Sequence, residues 1–164
     1  MSHNRTIGSI LGCALLFFGV VGDAAEPAAI SLEDQQQILD VISAYGYAYD
    51  GREIEAFLAL LTSDCTWEVY ASGATTPMVR AASRDELRAI AEQRLATLQQ
   101  KGIQSRHYQT NTLLIPRADG QIDGTTMLNL MWQVPGEKPY SVTTGIYRDV
   151  FAKQDGVWKI KKRT

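Results

Sequence analysis

The predicted fold is organised around Tyr45-Gly46-Tyr47-Ala48-Tyr49-Asp50-Gly51, which ends a segment with helical periodicity. Apolar and aromatic residues recur there at the spacing of one helical face: Ile38, Val41, Ile42, Tyr45 and Tyr49. An aspartate at the C-terminal end of a helix faces the negative end of the helix dipole, which is unfavourable. Two interpretations of Asp50 are open. Asp50-Gly51 can be a simple turn in which Gly51 is the left-handed cap, or Asp50 can turn inward and pair with His107 in a pocket lined by the tyrosines.

Residues 1–25 are predicted to be a secretory signal peptide rather than part of the fold. Arg5 gives a weakly positive start, residues 7–21 form an apolar run, and Gly22-Asp23-Ala24 offers small residues for cleavage. The run is shorter than the roughly 20 residues that a membrane span needs. Cys13 lies inside the run rather than after it, which disfavours a lipid anchor; a retained anchor is a further alternative. We therefore expect residues 26–164 to form one periplasmic or secreted domain, with no membrane association after cleavage.

The composition of residues 26–164 excludes several classes of site. His107 is their only histidine and Cys65 their only cysteine, which predicts no disulfide and no zinc site of the usual kind. No acidic cluster suggests another metal, and we predict no cofactor. The net charge is −2, and the one basic cluster alternates with a strand pattern typical of a solvated edge, so nucleic acid is not an expected partner. That cluster is Lys159, Lys161, Lys162 and Arg163.

Three helices are predicted before a run of long strands. Ser31 is a helix N-cap, residues 54–61 form a second short helix, and Ser83 opens a third helix that closes at Lys101-Gly102. A strand is expected at 65–71 and a loop at 72–82. Asp-Gly and Pro-Gly turns then separate strands at 103–115, 121–134, 140–152 and 157–163, with bulges or bends expected at Gly124 and Gly145. The chain is therefore predicted to be an α+β protein with three N-terminal helices against a strongly curved antiparallel sheet, which together form a cone with a pocket inside.

The alternation of side chains along these strands predicts which residues share a face. The face that carries His107 is expected to carry Gln109, Asn111, Leu113 and Ile115. On the next strand Met127, Asn129 and Met131 lie opposite Leu128, Leu130 and Trp132, and on the third strand Tyr147 shares a face with Thr143 and Asp149. Any single aromatic residue here can equally be ordinary core. Apolar residues on both faces of 121–134 predict a homodimer through the outer face of the sheet, although a helix packed there would serve equally well.

Three parts of the sequence together resemble a known family. They are residues 42–64, the Arg106-His107 pair with Asn111 after it, and residues 145–149 followed by 156–159. This pattern resembles SnoaL-like proteins of the nuclear transport factor 2-like superfamily over about residues 31–163. The resemblance implies a cone-shaped NTF2-like α+β barrel. Within the superfamily the pattern is most similar to scytalone dehydratase and the bacterial bile-acid 7α-dehydratases.

The resemblance also implies roles for individual residues. Asp50 and His107 match both groups of dehydratases, Tyr49 matches the tyrosine beside the aspartate in the first group, and Tyr45 matches the tyrosine of the second. Trp132 stands where scytalone dehydratase has a second catalytic histidine, so that chemistry cannot be transferred whole. The expected catalytic residues are thus Asp50, His107, Tyr45 and Tyr49. The expected substrate-binding residues are Tyr70, Asn111, Met127, Trp132 and Tyr147.

An aspartate–histidine pair is suited to removing a proton next to a carbonyl. The aspartate would fix the histidine tautomer, and a tyrosine would donate a hydrogen bond to the developing enolate oxygen. The expected function is a cofactor-independent dehydration or isomerisation of a small hydrophobic or polycyclic ligand. The alternative is an exported, non-catalytic domain in which the same residues only bind that ligand.

Overall fold

The computed structural model describes residues 29–164, and the predicted signal peptide lies outside the described residues. The elements follow in the order α1 (Leu32–Gly51), α2 (Ile54–Ala59), β1 (Leu61–Val69), β2 (Val79–Ala81), α3 (Arg84–Gln100), β3 (Gln104–Pro116), β4 (Ile122–Gln133), β5 (Tyr140–Gln154) and β6 (Val157–Arg163). Within residues 29–164, no helix is both long and apolar enough to cross a membrane.

The six strands form one sheet in the order β2-β1-β6-β5-β4-β3. The strands β3 to β6 pair as an antiparallel meander, as the turn sequences predicted. β1 joins β6 in parallel, so the sheet is mixed rather than purely antiparallel. β1 begins at Leu61, earlier than predicted, and β2 lies within the predicted loop at 72–82. The helices pack against the sheet and complete an α+β cone around one core.

The end of α1 is tied to the start of β3. The prediction that Gly51 is the left-handed cap is wrong by one residue, because Gly51 is the last helical residue and Arg52 has a φ of 62°. Arg52 is held there by a hydrogen bond from its Nη2 to the Ile103 carbonyl at 2.7 Å. At the other end, Ser31 accepts from the Asp34 backbone N–H at 3.0 Å, as the cap pattern predicted. The fixed C-terminal end places Asp50 against β3.

Gly46 allows α1 to approach β3, which is the edge strand of the sheet, very closely. A Cβ at this position would lie 3.1 Å from Gln109 Nε2 and 3.4 Å from the His107 carbonyl oxygen. The helix therefore covers the part of the β3 edge that contains His107. This close approach is what lets a side chain of α1 reach the backbone of β3.

The sheet contains four register shifts, and none lies at Gly124 or Gly145, so the expected bulges at these two glycines are wrong. The shifts lie between Leu61 and Thr66 on β1, between Thr110 and Leu113 on β3, between the partners of Leu130 and Met131, and between Val150 and Phe151. On β3 the shift coincides with Asn111, whose φ is 54°; asparagine is one of the few non-glycine residues that adopts this conformation readily. Gly124 instead makes room for a neighbouring ring, because a Cβ there would lie 2.6 Å from Phe151 Cε2.

Candidate active site

The expected pairing of Asp50 with His107 is present in the structure. Asp50 Oδ1 lies 2.7 Å from His107 Nδ1 and also accepts a hydrogen bond from Ser105 Oγ at 2.7 Å. Asp50 Oδ2 accepts from the backbone N–H of His107, again at 2.7 Å. Asp50 is only 7 % exposed, so its carboxylate is held in one position by three bonds from two residues of β3.

This hydrogen bonding fixes the protonation of the pair. Burial raises the pKa of Asp50, but the hydrogen bonds from His107 and Ser105 outweigh burial and hold that pKa below its usual value. The carboxylate is therefore ionised and can only accept hydrogen bonds. Nδ1 of the neutral imidazole must then carry the proton, which leaves the lone pair on Nε2. His107 is thus oriented as a base whose acceptor is Nε2.

Both expected tyrosines lie edge-on to the imidazole. The ring centroid of Tyr49 is 5.3 Å from that of His107, and the centroid of Tyr45 is 6.1 Å away. Phe57 packs edge-on against both tyrosines and completes an aromatic cluster. Burial raises the pKa of Tyr49 well above its usual value, so the phenol remains a hydrogen-bond donor across the working pH range. The four expected catalytic residues therefore converge.

A second buried ion pair was not found by sequence reasoning. Arg163 Nε and Nη2 bind the two carboxylate oxygens of Asp149 at 2.8 and 2.7 Å. The guanidinium carbon lies 4.0 Å from the Tyr45 ring centroid and 3.9 Å from that of Tyr147. The expectation that Arg163 is part of a solvated edge is therefore wrong. The register shift between β5 and β6 is the reason. It leaves Lys161 without a register partner on β5 and turns Arg163 to the inner face.

Two of the expected substrate-binding residues line a small cavity, and a third lies on the face of the sheet that carries the dyad. Tyr70 and Tyr147 line a cavity of about 150 Å³ together with Trp67 and Leu128. Tyr147 also packs edge-on against Tyr45, with 6.0 Å between ring centroids, which connects this cavity to the aromatic cluster. Trp132 is the register partner of Ser105, and therefore shares the face from which Ser105 reaches Asp50.

The other two expected substrate-binding residues, Asn111 and Met127, lie on the outer face. Met127 is 51 % exposed, and Asn111 Nδ2 donates to its sulfur at 3.4 Å. The expectation that Asn111, Leu113 and Ile115 share the face of His107 is wrong. The bulge at Asn111 reverses the alternation, so that Thr112 and Leu114 turn inward while Leu113 and Ile115 are exposed. Neither Asn111 nor Met127 is brought near the dyad.

An open groove on the outside of the cone was also not anticipated. It has a volume of about 750 Å³ and runs between α1 and the edge of β3. Asp50 and His107 contribute to its wall, and the exposed rings of Tyr47 and Tyr108 flank it. The sequence signal was present in Gly46, because a glycine within a helix indicates close approach of another backbone.

No metal site accompanies these groups in the part of the chain that the structure describes. Among residues 29–164, no three side chains of His, Cys, Asp or Glu are grouped as ligands. Cys65 is a free, buried thiol.

Comparison with known proteins identifies the family. Residues 31–164 match the profile of the SnoaL-like domain. No curated protein sequence matches the chain. Several solved structures share the fold. ActVI-ORFA from Streptomyces coelicolor is 22 % identical with a TM-score of 0.68, over 79 % of this chain and 92 % of that one. A protein described as a candidate scytalone dehydratase, from Novosphingobium aromaticivorans, is 24 % identical with a TM-score of 0.66, over 80 % and 82 %.

A third similar structure, also from Novosphingobium aromaticivorans, is described as the beta subunit of a candidate aromatic-ring-hydroxylating dioxygenase. It is 20 % identical with a TM-score of 0.66, over 79 % of this chain and 86 % of that one. At these identities the structural likeness shows a shared fold, while the sequence profile, which spans nearly all described residues, shows the family. The chain belongs to the SnoaL-like family, within the NTF2-like superfamily.

Proposed function

We propose that this chain is a cofactor-independent lyase or isomerase in which His107 removes a proton next to a carbonyl. The observation that carries the proposal is the hydrogen bond of 2.7 Å between Asp50 Oδ1 and His107 Nδ1. It directs the lone pair of Nε2 away from Asp50, and the ionised carboxylate stabilises the imidazolium that forms when Nε2 takes a proton. The same arrangement of a buried acid behind a histidine recurs in enzymes with unrelated folds.

Proton transfer to Nε2 leaves the electron pair in an enolate. Tyr49, which remains protonated, donates a hydrogen bond to the enolate oxygen, and Tyr45 is the second donor in the same cluster. When the β-carbon of the substrate carries a hydroxyl, that hydroxyl accepts the proton from the imidazolium and leaves as water, which is a dehydration. When the enolate is instead conjugated with a further carbon–carbon double bond, the imidazolium returns the proton to the far carbon of that double bond, which is an isomerisation.

The surroundings of the dyad favour a small hydrophobic or polycyclic ligand. Aromatic side chains dominate the inner wall from His107 to the cavity lined by Trp67, Tyr70 and Tyr147. Aromatic walls with a few polar groups are typical of small-molecule sites. The description of one similar structure as a candidate scytalone dehydratase, and of another as a subunit of a candidate ring hydroxylase, agrees with this ligand class.

The proposal is tested with 3-hydroxy-1-tetralone, a β-hydroxy ketone that forms fluorescent 1-naphthol after losing water, and by exchange of the α-protons of 1-tetralone in D₂O. We expect the native chain to accelerate at least one reaction, and His107→Gln to lower that rate by about 10²- to 10⁴-fold. Arg117→Gln, in the exposed turn between β3 and β4 and away from both the groove and the inner cavity, is the control and retains the rate. If the native chain binds both ketones without accelerating either reaction, it is a binding domain and the proposal is wrong.

We further propose that the chain acts outside the cytoplasm as a homodimer. Export rests on the apolar run at 7–21, and an intact Met1 in cytoplasmic protein from the native host would contradict it.

The dimer rests on an exposed apolar row across the outer face, where Met127 is the register partner of Ile146 and Tyr108 lies one row away. Light scattering should give the dimer mass at micromolar concentration, and Met127→Lys should shift it to the monomer mass.

A further inference from the structure

Two of the three tryptophans in the chain bury an indole N–H that has no hydrogen-bond partner among residues 29–164. They are Trp67 and Trp132. The third, Trp158, donates its N–H to Asp34 Oδ1 at 2.6 Å. Burying a polar group without a partner is costly, and buried polar groups in native proteins are nearly always paired. The two free indole N–H groups therefore require acceptors that the described chain does not supply.

Trp132 lies on the wall of the cone that carries the dyad. It is the register partner of Ser105, whose hydroxyl donates to Asp50, so its indole projects from the same face. His107 is the register partner of Leu130, two residues before Trp132 on β4. Residues two apart on a strand project to the same side. Trp132 and His107 are therefore diagonal neighbours on one face of the sheet.

Trp67 lies towards a different part of the interior. Trp67 lines the cavity of about 150 Å³ with Leu128 and Tyr147. Leu128 precedes Trp132 by four residues on β4, which corresponds to a rise of roughly 13 Å along the strand. Trp67 and Trp132 therefore lie at different positions along the sheet, and we expect each N–H to need an acceptor of its own.

The end of the interior near Trp67 carries a further free donor. Trp67 is the register partner of Arg163, and Arg163 Nη1 is buried without a partner although its other two nitrogens bind Asp149. Because the Asp149 carboxylate balances the guanidinium charge, the free Nη1 offers hydrogen bonds without a net charge that would demand an anion. A neutral acceptor oxygen therefore suits this end.

We propose that Trp132 and Trp67 determine which ligand the cone accepts: an apolar ring-containing molecule with one acceptor oxygen beside His107 and a second acceptor near Trp67. The inference rests on the proposed function only for the identity of the first acceptor, which is the carbonyl next to the proton that His107 removes. There the Trp132 N–H joins Tyr49 as a donor to the oxygen on which charge develops. The second acceptor is independent of the chemistry.

The proposal is tested by NMR titration with four matched compounds. 1-Tetralone and tetralin differ by one acceptor oxygen, and 6-methoxy-1-tetralone and 6-ethyl-1-tetralone differ by an acceptor at the opposite end with nearly equal size. We expect the native chain to bind the ketone more tightly than tetralin, and the methoxy compound more tightly than the ethyl compound, by about fivefold to tenfold in each pair.

Single substitutions then assign each preference to one indole. Trp132→Phe should abolish the preference for the ketone over tetralin and retain the methoxy preference, while Trp67→Phe should do the reverse. Trp158→Phe is the matched control, because its N–H is already bound to Asp34; it should lower thermal stability and retain both preferences. If both preferences survive in Trp132→Phe and Trp67→Phe, the free N–H groups bind only water and the proposal is wrong. It is equally wrong if the native chain shows neither preference or binds none of the compounds.

Two further measurements keep the result unambiguous. Where a phenylalanine variant does not fold, benzothienylalanine at the same position retains the shape of the indole and replaces its N–H with sulfur. Exchange of the α-protons of 1-tetralone is measured in parallel. Preferences that depend on the tryptophans without any exchange would contradict the proposed function and support this inference, whereas exchange without those preferences would do the opposite.

Discussion

Two buried acid–base pairs flank the ring of Tyr45. The ring centroid lies 6.1 Å from the His107 ring of one pair and 4.0 Å from the Arg163 guanidinium carbon of the other. Asp50 binds His107 Nδ1 through one hydrogen bond at 2.7 Å, while Asp149 binds Arg163 through two at 2.8 and 2.7 Å. Tyr45 is common to both pairs, and the chemical difference between the pairs lies in the basic partner.

That difference separates a pair with a free acceptor nitrogen from a pair that can only donate hydrogen bonds. Histidine gains and loses a proton near neutral pH, and the bond to Asp50 leaves its second nitrogen available. Arginine remains protonated at all working pH values, so it can donate but never act as a base. The side chains of Asp149 and Arg163 are 0 % and 1 % exposed, against 8 % and 7 % for Asp50 and His107. The more deeply buried of the two pairs is therefore the one whose basic partner has no free acceptor nitrogen.

The largest expected difference is in rate. Asp50→Asn and His107→Gln should each lower the rate with 3-hydroxy-1-tetralone by about 10²-fold or more, because either change removes the oriented base. The double variant should be only a few-fold slower than the slower single variant, since the two residues act as one unit. Steady-state kinetics with all three variants measure this. Additive losses would mean that the residues act separately.

The Arg163 pair should instead affect stability. Arg163→Met leaves the buried Asp149 carboxylate without its partner, and we expect the free energy of unfolding to fall by about 3–5 kcal/mol. Removing both charges with Asp149→Leu and Arg163→Met together should restore much of that loss. Urea unfolding checks both variants. A double variant as unstable as Arg163→Met would show that the ion pair itself, rather than the unpaired charge, stabilises the fold.

Two glycines permit a matched comparison of the pairs. Gly124 is the register partner of Asp149, and an alanine there meets Phe151 at 2.6 Å, which should cost about 1–3 kcal/mol of stability. In Gly46→Ala the new Cβ makes less severe contacts, at 3.1 Å from Gln109 Nε2 and 3.4 Å from the His107 carbonyl oxygen. The alanine also gains up to about 1 kcal/mol of helix propensity. We expect Gly46→Ala to lower the rate about tenfold by displacing Asp50, with little loss of stability. Thermal unfolding and kinetics of both variants distinguish the two outcomes.

The smallest expected effect is on the pH dependence of stability. Because the folded pKa of Asp50 lies below its usual value of 3.8, the ionised carboxylate stabilises the fold at pH values above that value. This contribution is lost as the pH falls through the folded pKa. The difference in unfolding free energy between the native chain and Asp50→Asn should therefore be constant above about pH 5 and shrink below about pH 4. A difference that is unchanged at acid pH would contradict the lowered pKa.

Asp34 should show the same sign at the other end of α1. Its hydrogen bonds to Lys153, Trp158 and Ser31 lower its pKa to about 2. Its contribution is complete above the usual value of 3.8 and lost as the pH falls towards about 2. Urea unfolding of Asp34→Asn over the same pH range measures the contribution of Asp34 alone. The comparison distinguishes the pH dependence due to Asp34 from that due to Asp50.

The sequence was sufficient to predict the dyad but not the Arg163 pair, for a physical reason. An acid at a disfavoured helix end and a lone histidine on a strand are visible without knowing the register. The inward position of Arg163 depends on a bulge at Lys161, which has no register partner on β5. The alternation of apolar and polar residues does not indicate this bulge. The bulge at Asn111 had the same effect on β3, and placed Leu113 and Ile115 outside. Bulges without glycine or proline leave only a weak sequence signal, here an asparagine.

The fold itself was more predictable than the faces of its strands. The caps at Ser31 and Ser83 and the Gly-containing turns mark the elements through local backbone chemistry. The parallel pairing of β1 with β6 joins residues about one hundred positions apart, and no local signal specifies it. The resemblance to SnoaL-like proteins implied the cone, but the sheet was predicted to be antiparallel and this parallel pair was not anticipated.

The tautomer of His107 shows whether Asp50 orients the imidazole as a base. It is the only histidine of residues 26–164, so in a chain of those residues labelled with ¹⁵N its two ring nitrogens can be observed without assignment of other histidines. We predict a protonated, pyrrole-like Nδ1 and an unprotonated, pyridine-like Nε2 at a pH where the ring is neutral. In Asp50→Asn this preference should weaken. A neutral ring with its proton on Nε2 in the native chain would mean that His107 cannot act as the proposed base.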